Sequence, residues 1–122
     1  MKLEFMINKV TFESNVDFNY VQVAFSDNYD EPNNYLILQV SMEIEEQDEL
    51  LGIANHYLEV NDSLLKGYGL CKSVELCKNK VIVTTYDKTV IELNIDKYAI
   101  DNMEAFIKHM RFILGASFII IT

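Results

Sequence analysis

The sequence predicts an α+β fold: a mostly antiparallel β-sheet with a C-terminal amphipathic α-helix packed on one face. Three observations lead there. Short runs with an apolar residue at every second position recur along the chain, which is the period of half-buried strands. The breaks between them carry turn residues, the only proline among them. After Ile100 the apolar spacing changes to three and four residues, the period of a helix. With 122 residues, half of them hydrophobic, the chain can bury its own core, and a single domain spanning 1–122 is expected.

The elements follow in order. Leu3, Phe5 and Ile7 alternate with Lys2, Glu4 and Asn8, giving a first strand. Asp17 to Phe25 reads as a second, apolar on both faces toward its end. Tyr29 to Asn34, with Pro32, is a turn. From Tyr35 to Met42, Leu36, Leu38, Val40 and Met42 share one face of a strand, with Tyr35, Ile37 and Gln39 on the other. A short helix from Glu43 to Leu51, ended by Gly52, is possible next. Asn55 to Val60 is a strand, and the closely spaced glycines of Lys66-Gly67-Tyr68-Gly69 suggest a loop. Lys72 to Cys77, Lys80 to Tyr86 and Thr89 to Ile95 form three short strands, with turns at Asn79 and Asp87-Lys88.

The last helix has Asp101 as the expected N-cap, with Glu104 completing a capping-box pattern. Met103, Phe106, Ile107, Met110, Ile113 and Leu114 make one apolar stripe, and Gly115 is the stop. The tail Phe118 to Ile121 is apolar enough to aggregate as a bare edge, so it should be buried, paired or joined to another chain.

Charge narrows the function. There are 19 acids against 10 bases, a net charge of −9. Direct binding to nucleic acid or to an anionic membrane is disfavoured, because both need Lys and Arg. The imbalance lies in one half: residues 1–62 hold 13 acids and two bases, while residues 63–122 hold six acids and eight bases. Five of the seven residues from Glu43 to Glu49 are acids. A basic partner would account for this asymmetry, and so would a solvated face that serves solubility.

Reactive constellations are sparse. His56 and His109 are far apart in sequence, and no motif supplies either with an orienting group. Cys71 and Cys77, if on one strand, lie about 20 Å apart on the same side, too far for a disulfide, so a reducing cytoplasm is expected. The start Met1-Lys2-Leu3-Glu4-Phe5 does not read as a signal peptide, and no apolar run reaches membrane-spanning length. The acidic stretch lacks the glycine an EF-hand needs at its sixth position, where Asp48 stands, so no metal is expected. Lys66 to Leu70 lacks the pattern of a phosphate loop, and no cofactor is expected. The tyrosines at 20, 29, 35, 57, 68, 86 and 98 suit core or sheet positions, and some suit interface anchors.

The segment order of Tyr35-Leu36-Ile37-Leu38-Gln39, Glu45 to Gly52, His56 to Asp62 and Gly67-Tyr68-Gly69, followed by short strands and an amphipathic helix, resembles the immunity protein 10 family of bacterial polymorphic toxin systems. The positions that carry the likeness are Glu46, Gln47, Asp48, Tyr57, Glu59, Tyr68 and Gly69. The resemblance implies a non-enzymatic inhibitor that binds a cognate toxin domain, monomeric or dimeric. Joined to the charge, it makes Glu43, Glu45, Glu46, Asp48, Glu49 and Glu59 candidate partner-binding residues toward a basic toxin, with a nuclease as one possibility. Glu46 and Asp48 could equally cap the short helix or hold its loop. Two other readings stay open: a self-associating adaptor that pairs through its C-terminal strand, and a small enzyme with a site around His56, Tyr57 and Glu59.

Overall fold

Alternation of apolar and polar residues resolves into two five-stranded sheets in a computed structural model that describes residues 1–28, 33–43, 55–61 and 64–121. The first sheet contains β1 (Lys2–Ile7), β7 (Cys71–Leu76), β8 (Lys80–Thr85), β9 (Val90–Ile95) and β10 (Phe118–Ile120), in the order β1-β9-β8-β7-β10. The second contains β2 (Lys9–Asn15), β3 (Tyr20–Ser26), β4 (Tyr35–Ser41), β5 (Tyr57–Val60) and β6 (Leu65–Tyr68), paired antiparallel in chain order. The helix α1 runs from Met103 to Leu114.

The three late strands form the expected antiparallel meander β7-β8-β9. Strands from the two chain ends then flank it in parallel: β1 joins β9, with Lys2 opposite Val90, and β10 joins β7, with Phe118 opposite Val74. The chain crosses between sheets twice. It passes from β1 to β2 through Asn8, and from β6 to β7 through Gly69 and Leu70. Asn8 secures the first crossing by donating from its backbone N–H to Ser26 O (3.0 Å) and from its amide to Asp27 O (2.7 Å). Gly69 secures the second: its φ of +66° suits glycine, and its N–H donates to His56 O (2.9 Å).

One face of each sheet enters a common core. Val21, Val23 and Phe25 of β3, Leu36 and Leu38 of β4, and Leu58 and Val60 of β5 are buried. They share a cluster with Phe5, Ile7, Val74, Val81, Val83, Ile91 and Leu93 of the first sheet. Each such side chain, taken from water, adds roughly 1.5–3 kcal/mol. The helix covers the second sheet, packing mainly on β3 and also on β2 and β4, and it touches β10 of the first sheet. Phe106, Met110, Ile113 and Leu114 are its buried stripe, and Phe106 meets Phe25 edge to face with centroids 6.0 Å apart.

Several local expectations need correction. The N-cap is Asn102, one residue later than expected: its Oδ1 accepts from Ala105 N–H at 3.0 Å, so the Asp101–Glu104 capping box does not form. Met103 lies on the exposed rim of the helix and Ile107 is half-buried, which narrows the stripe. The second strand begins at Tyr20, because Asn15 to Asn19 turn the chain back, with Asn19 in the left-handed region. Lys66 to Tyr68 belongs to strand β6 instead of a loop. Gly67 is tolerated there because Leu70 fills the space beside it, 3.2 Å from where its Cβ would stand. Gly115 does end α1, with φ +58° and its N–H bonded to Arg111 O. The apolar tail is paired through β10, which buries Phe118 and leaves Ile119 and Ile120 outside.

Candidate partner-binding surface

The outer face of the second sheet is built by strand register. Residues directly opposite one another point the same way. One row therefore runs Thr11, Ala24, Ile37, Glu59, Lys66, and the next Glu13, Gln22, Gln39, Tyr57, Tyr68. Tyr35 and Tyr20 stand on the same face at opposite ends of the rows. Four of the seven tyrosines thus share one side of one sheet.

Glu59 is the focus of that face. Tyr35 donates its hydroxyl to one carboxylate oxygen (2.5 Å), and Tyr57, two residues along the same strand, donates to the other (2.6 Å). These two bonds, Tyr35's first, hold the Glu59 carboxyl below its ordinary pKa. In return, the bond to Glu59 pushes the Tyr57 phenol up to about 12. The Tyr57 and Tyr68 rings lie 5.2 Å apart across β5 and β6. Tyr20 repeats the arrangement at the far corner by donating to Glu13 at 2.5 Å, which raises its own pKa. A polar hollow of about 140 Å³ opens between these groups, with Tyr20, Gln39, Tyr57 and Tyr68 in its walls.

Of the six candidate partner-binding acids, Glu59 sits in this network. Glu43 is exposed and pinned at the Tyr20 end of the sheet: the Asn19 side chain accepts from Glu43 N–H (2.9 Å) and donates to Glu43 O (3.1 Å). Glu45, Glu46, Asp48 and Glu49 lie outside the described residues, as does the proposed short helix beyond Glu43. Sequence reasoning missed the network as a unit. The signal it could have used is Tyr57 and Glu59 at a spacing of two, which puts both on one face of a strand.

His56, Tyr57 and Glu59 do not converge. His56 is buried on the core side, while Tyr57 and Glu59 alternate with it onto the outer face. The His56 ring accepts the Cys71 backbone N–H at Nε2 (3.0 Å), which leaves its proton on Nδ1, and burial pushes its pKa down. Cys71 is buried and its thiol donates to Ser73 O (3.7 Å), with desolvation pushing its pKa up to about 12, the opposite of an activated nucleophile. His109 has separate partners: Ala105 O at 2.7 Å, Ser14 Oγ at 3.4 Å, and the Phe12 ring with centroids 5.0 Å apart. Among the described residues no three His, Cys, Asp or Glu side chains gather as a metal site, and no helix is long and apolar enough to cross a membrane.

The profile of the immunity protein 10 family matches residues 6–105, most of the chain. The chain belongs to the immunity protein 10 family. The match takes in all of the second sheet together with β7, β8 and β9. Most of α1 and all of β10 lie beyond the matched span. No curated protein matches the chain.

Proposed function

We propose that this immunity protein 10 family member neutralises a bacterial toxin in the cytoplasm, binding the cognate toxin domain of a polymorphic toxin system and blocking it through an acidic surface. The family match carries this reading. Charge supports it: residues 1–62 hold 13 acids and two bases, with three of those acids on strands β1 to β5 and the other ten in the sequence outside those strands. A surface of that sign suits a toxin with a cationic cleft, such as a nuclease, and accelerates encounter by electrostatic steering. No catalysis by this chain is required.

The test is co-expression with the toxin domain encoded beside its gene, followed by co-purification at increasing salt. A complex that forms at low salt and associates more slowly as salt rises is expected. Replacing Glu45, Glu46, Asp48 and Glu49 together by Gln and Asn should slow association and flatten its salt dependence. Absence of a complex at low salt would refute the reading. An unchanged salt slope in the neutralised variant would reduce those acids to a solubility device.

A second reading has an observation of its own. Among the described residues strand β10 is one edge of the first sheet, and Ile119 and Ile120 are exposed on it, an apolar edge of the kind that can pair with a second copy. Light scattering with and without residues 116–122 decides it: an unchanged monomeric mass excludes self-association through this edge.

A further inference from the structure

We propose that the tip of the β2–β3 hairpin, Val16-Asp17-Phe18, is the element that enters the toxin: Asp17 meets a cation in a concave site, and Val16 and Phe18 pack on the walls around it. This rests on the immunity reading above and adds which element makes contact, and with what chemistry. Three observations carry it.

The first is exposure. Val16 to Asn19 connect β2 to β3. Small polar residues and glycine meet the needs of such a turn. Here two apolar side chains stand in it almost bare, Val16 at 79% exposure and Phe18 at 78%. Neither belongs to the core or packs against it. Single exposed apolar residues are ordinary, but a pair flanking one position of a projecting turn is a compact apolar patch.

The second is the fixed shape of the turn. Asn15 Oδ1 accepts from Phe18 N–H (3.0 Å), and Asn19 N–H donates to Val16 O (3.3 Å). Asn19 takes a left-handed φ of +56°. Its carbonyl accepts from Met42 N–H (3.2 Å), and its side chain brackets the Glu43 backbone. The tip is thereby tied to the end of β4, and little order has to be imposed on it when a partner arrives.

The third is charge. Asp17 is exposed between the two apolar side chains and has no hydrogen bond or ion pair among the described residues. Both its oxygens are therefore open to an arginine or lysine. Glu43, which Asn19 brackets, opens the acidic run Glu43 to Glu49, and residues 10–65 contain no Lys or Arg. On the helix side, Lys108 and His109 line a hollow with Ser14, and Glu13, Asp17 and Glu43 outnumber that lysine. An acid flanked by apolar groups suits a cationic cleft, because the flanks exclude water around the ion pair and strengthen it.

The experiment uses the full chain and the toxin domain encoded beside its gene, with Kd measured by calorimetry, mass by light scattering and folding by thermal melts. Val16→Ser and Phe18→Ser lie outside the core, so each should melt as the native chain does and raise Kd roughly tenfold or more. Asp17→Asn keeps the side-chain shape and should weaken binding with a shallower salt dependence. Tyr98→Ser is the control. Tyr98 is 77% exposed beside Ala99, whose carbonyl accepts from Val10 N–H at the other end of β2, about 20 Å along the strand from the tip. Its loss should leave Kd within about twofold. The inference is overturned if Phe18→Ser and Asp17→Asn fold and bind as the native chain does, or if Tyr98→Ser weakens binding as much as they do. It is also overturned if the native chain is a dimer that Phe18→Ser makes monomeric without loss of toxin affinity. A native chain that binds no toxin is a different result: it removes the immunity reading itself, and the docking tip with it.

Discussion

Replacing Tyr35 and Tyr57 by Phe tests whether the Glu59 network is a preorganised carboxylate. Each change removes one hydroxyl and keeps the ring. The bonds lost are short, 2.5 and 2.6 Å, and end on an ionised acceptor. Such a bond is worth about 1.5–3 kcal/mol out of water, and partial solvent access at Glu59 reduces that to ~1 kcal/mol apiece. For a chain of 122 residues, an unfolding entropy of about 2.1 cal/mol/K per residue makes 1 kcal/mol equivalent to ~4 °C in Tm. The double variant should therefore melt ~8 °C lower near neutral pH. Because the folded Glu59 carboxyl lies below its unfolded value, the stabilisation is complete above the ordinary carboxylate pKa of about 4.3 and fades as pH falls through the folded pKa. Denaturant melts of the native and double-Phe proteins should converge on acidification, and the Glu59 carboxyl carbon should titrate higher by NMR in the variant. A stability gap that is constant from neutral to acid pH, or a native Glu59 that titrates in the ordinary range, would refute the argument.

Phe106→Ala should cost about 3–5 kcal/mol, since it removes a fully buried ring that contacts both Phe12 and Phe25, and urea melts measure the loss. Native protein should yield one rapidly labelled thiol: Cys77 is partly accessible, while Cys71 is buried with its thiol pushed up to about 12, and a second thiol should appear only on unfolding. Because burial keeps His56 neutral, the unfolded chain takes up a proton near pH 6.5 before the folded one does, so stability should decline as pH falls below that point. His56→Gln, whose amide oxygen can accept from Cys71 N–H in place of the ring, should remove that part of the slope in melts between about pH 7 and 5.

How far the sequence revealed this architecture depends on the range of the interaction. The meander from Cys71 to Ile95 and the helix ending at Gly115 were legible because alternation, turns and caps are local signals. The division into two sheets was not, because it rests on pairings such as Lys2 with Val90 and Phe118 with Val74, which no local period records. Strand β2 was missed although Val10 and Phe12 alternate with Thr11 and Glu13, because its identity comes from the full register against β3. Strand β6 read as a loop because of Gly67 and Gly69, yet an edge strand needs a partner on one side only, and Leu70 covers the gap at Gly67. Asp101 and Asn102 are equally good caps in isolation, and the geometry of the entering chain decided between them. Of the candidate acids, Glu59 was legible as a charge. Its phenol partner Tyr35 was not, because Tyr35 comes from a strand 24 residues away in sequence.

The central claim is that this chain disarms a toxin by binding it. Growth of cells expressing the toxin domain encoded beside its gene, with and without this protein, tests that most directly. Full rescue by the native chain is the expected outcome. Toxin-arrested cells that gain nothing from abundant, folded native protein would contradict it.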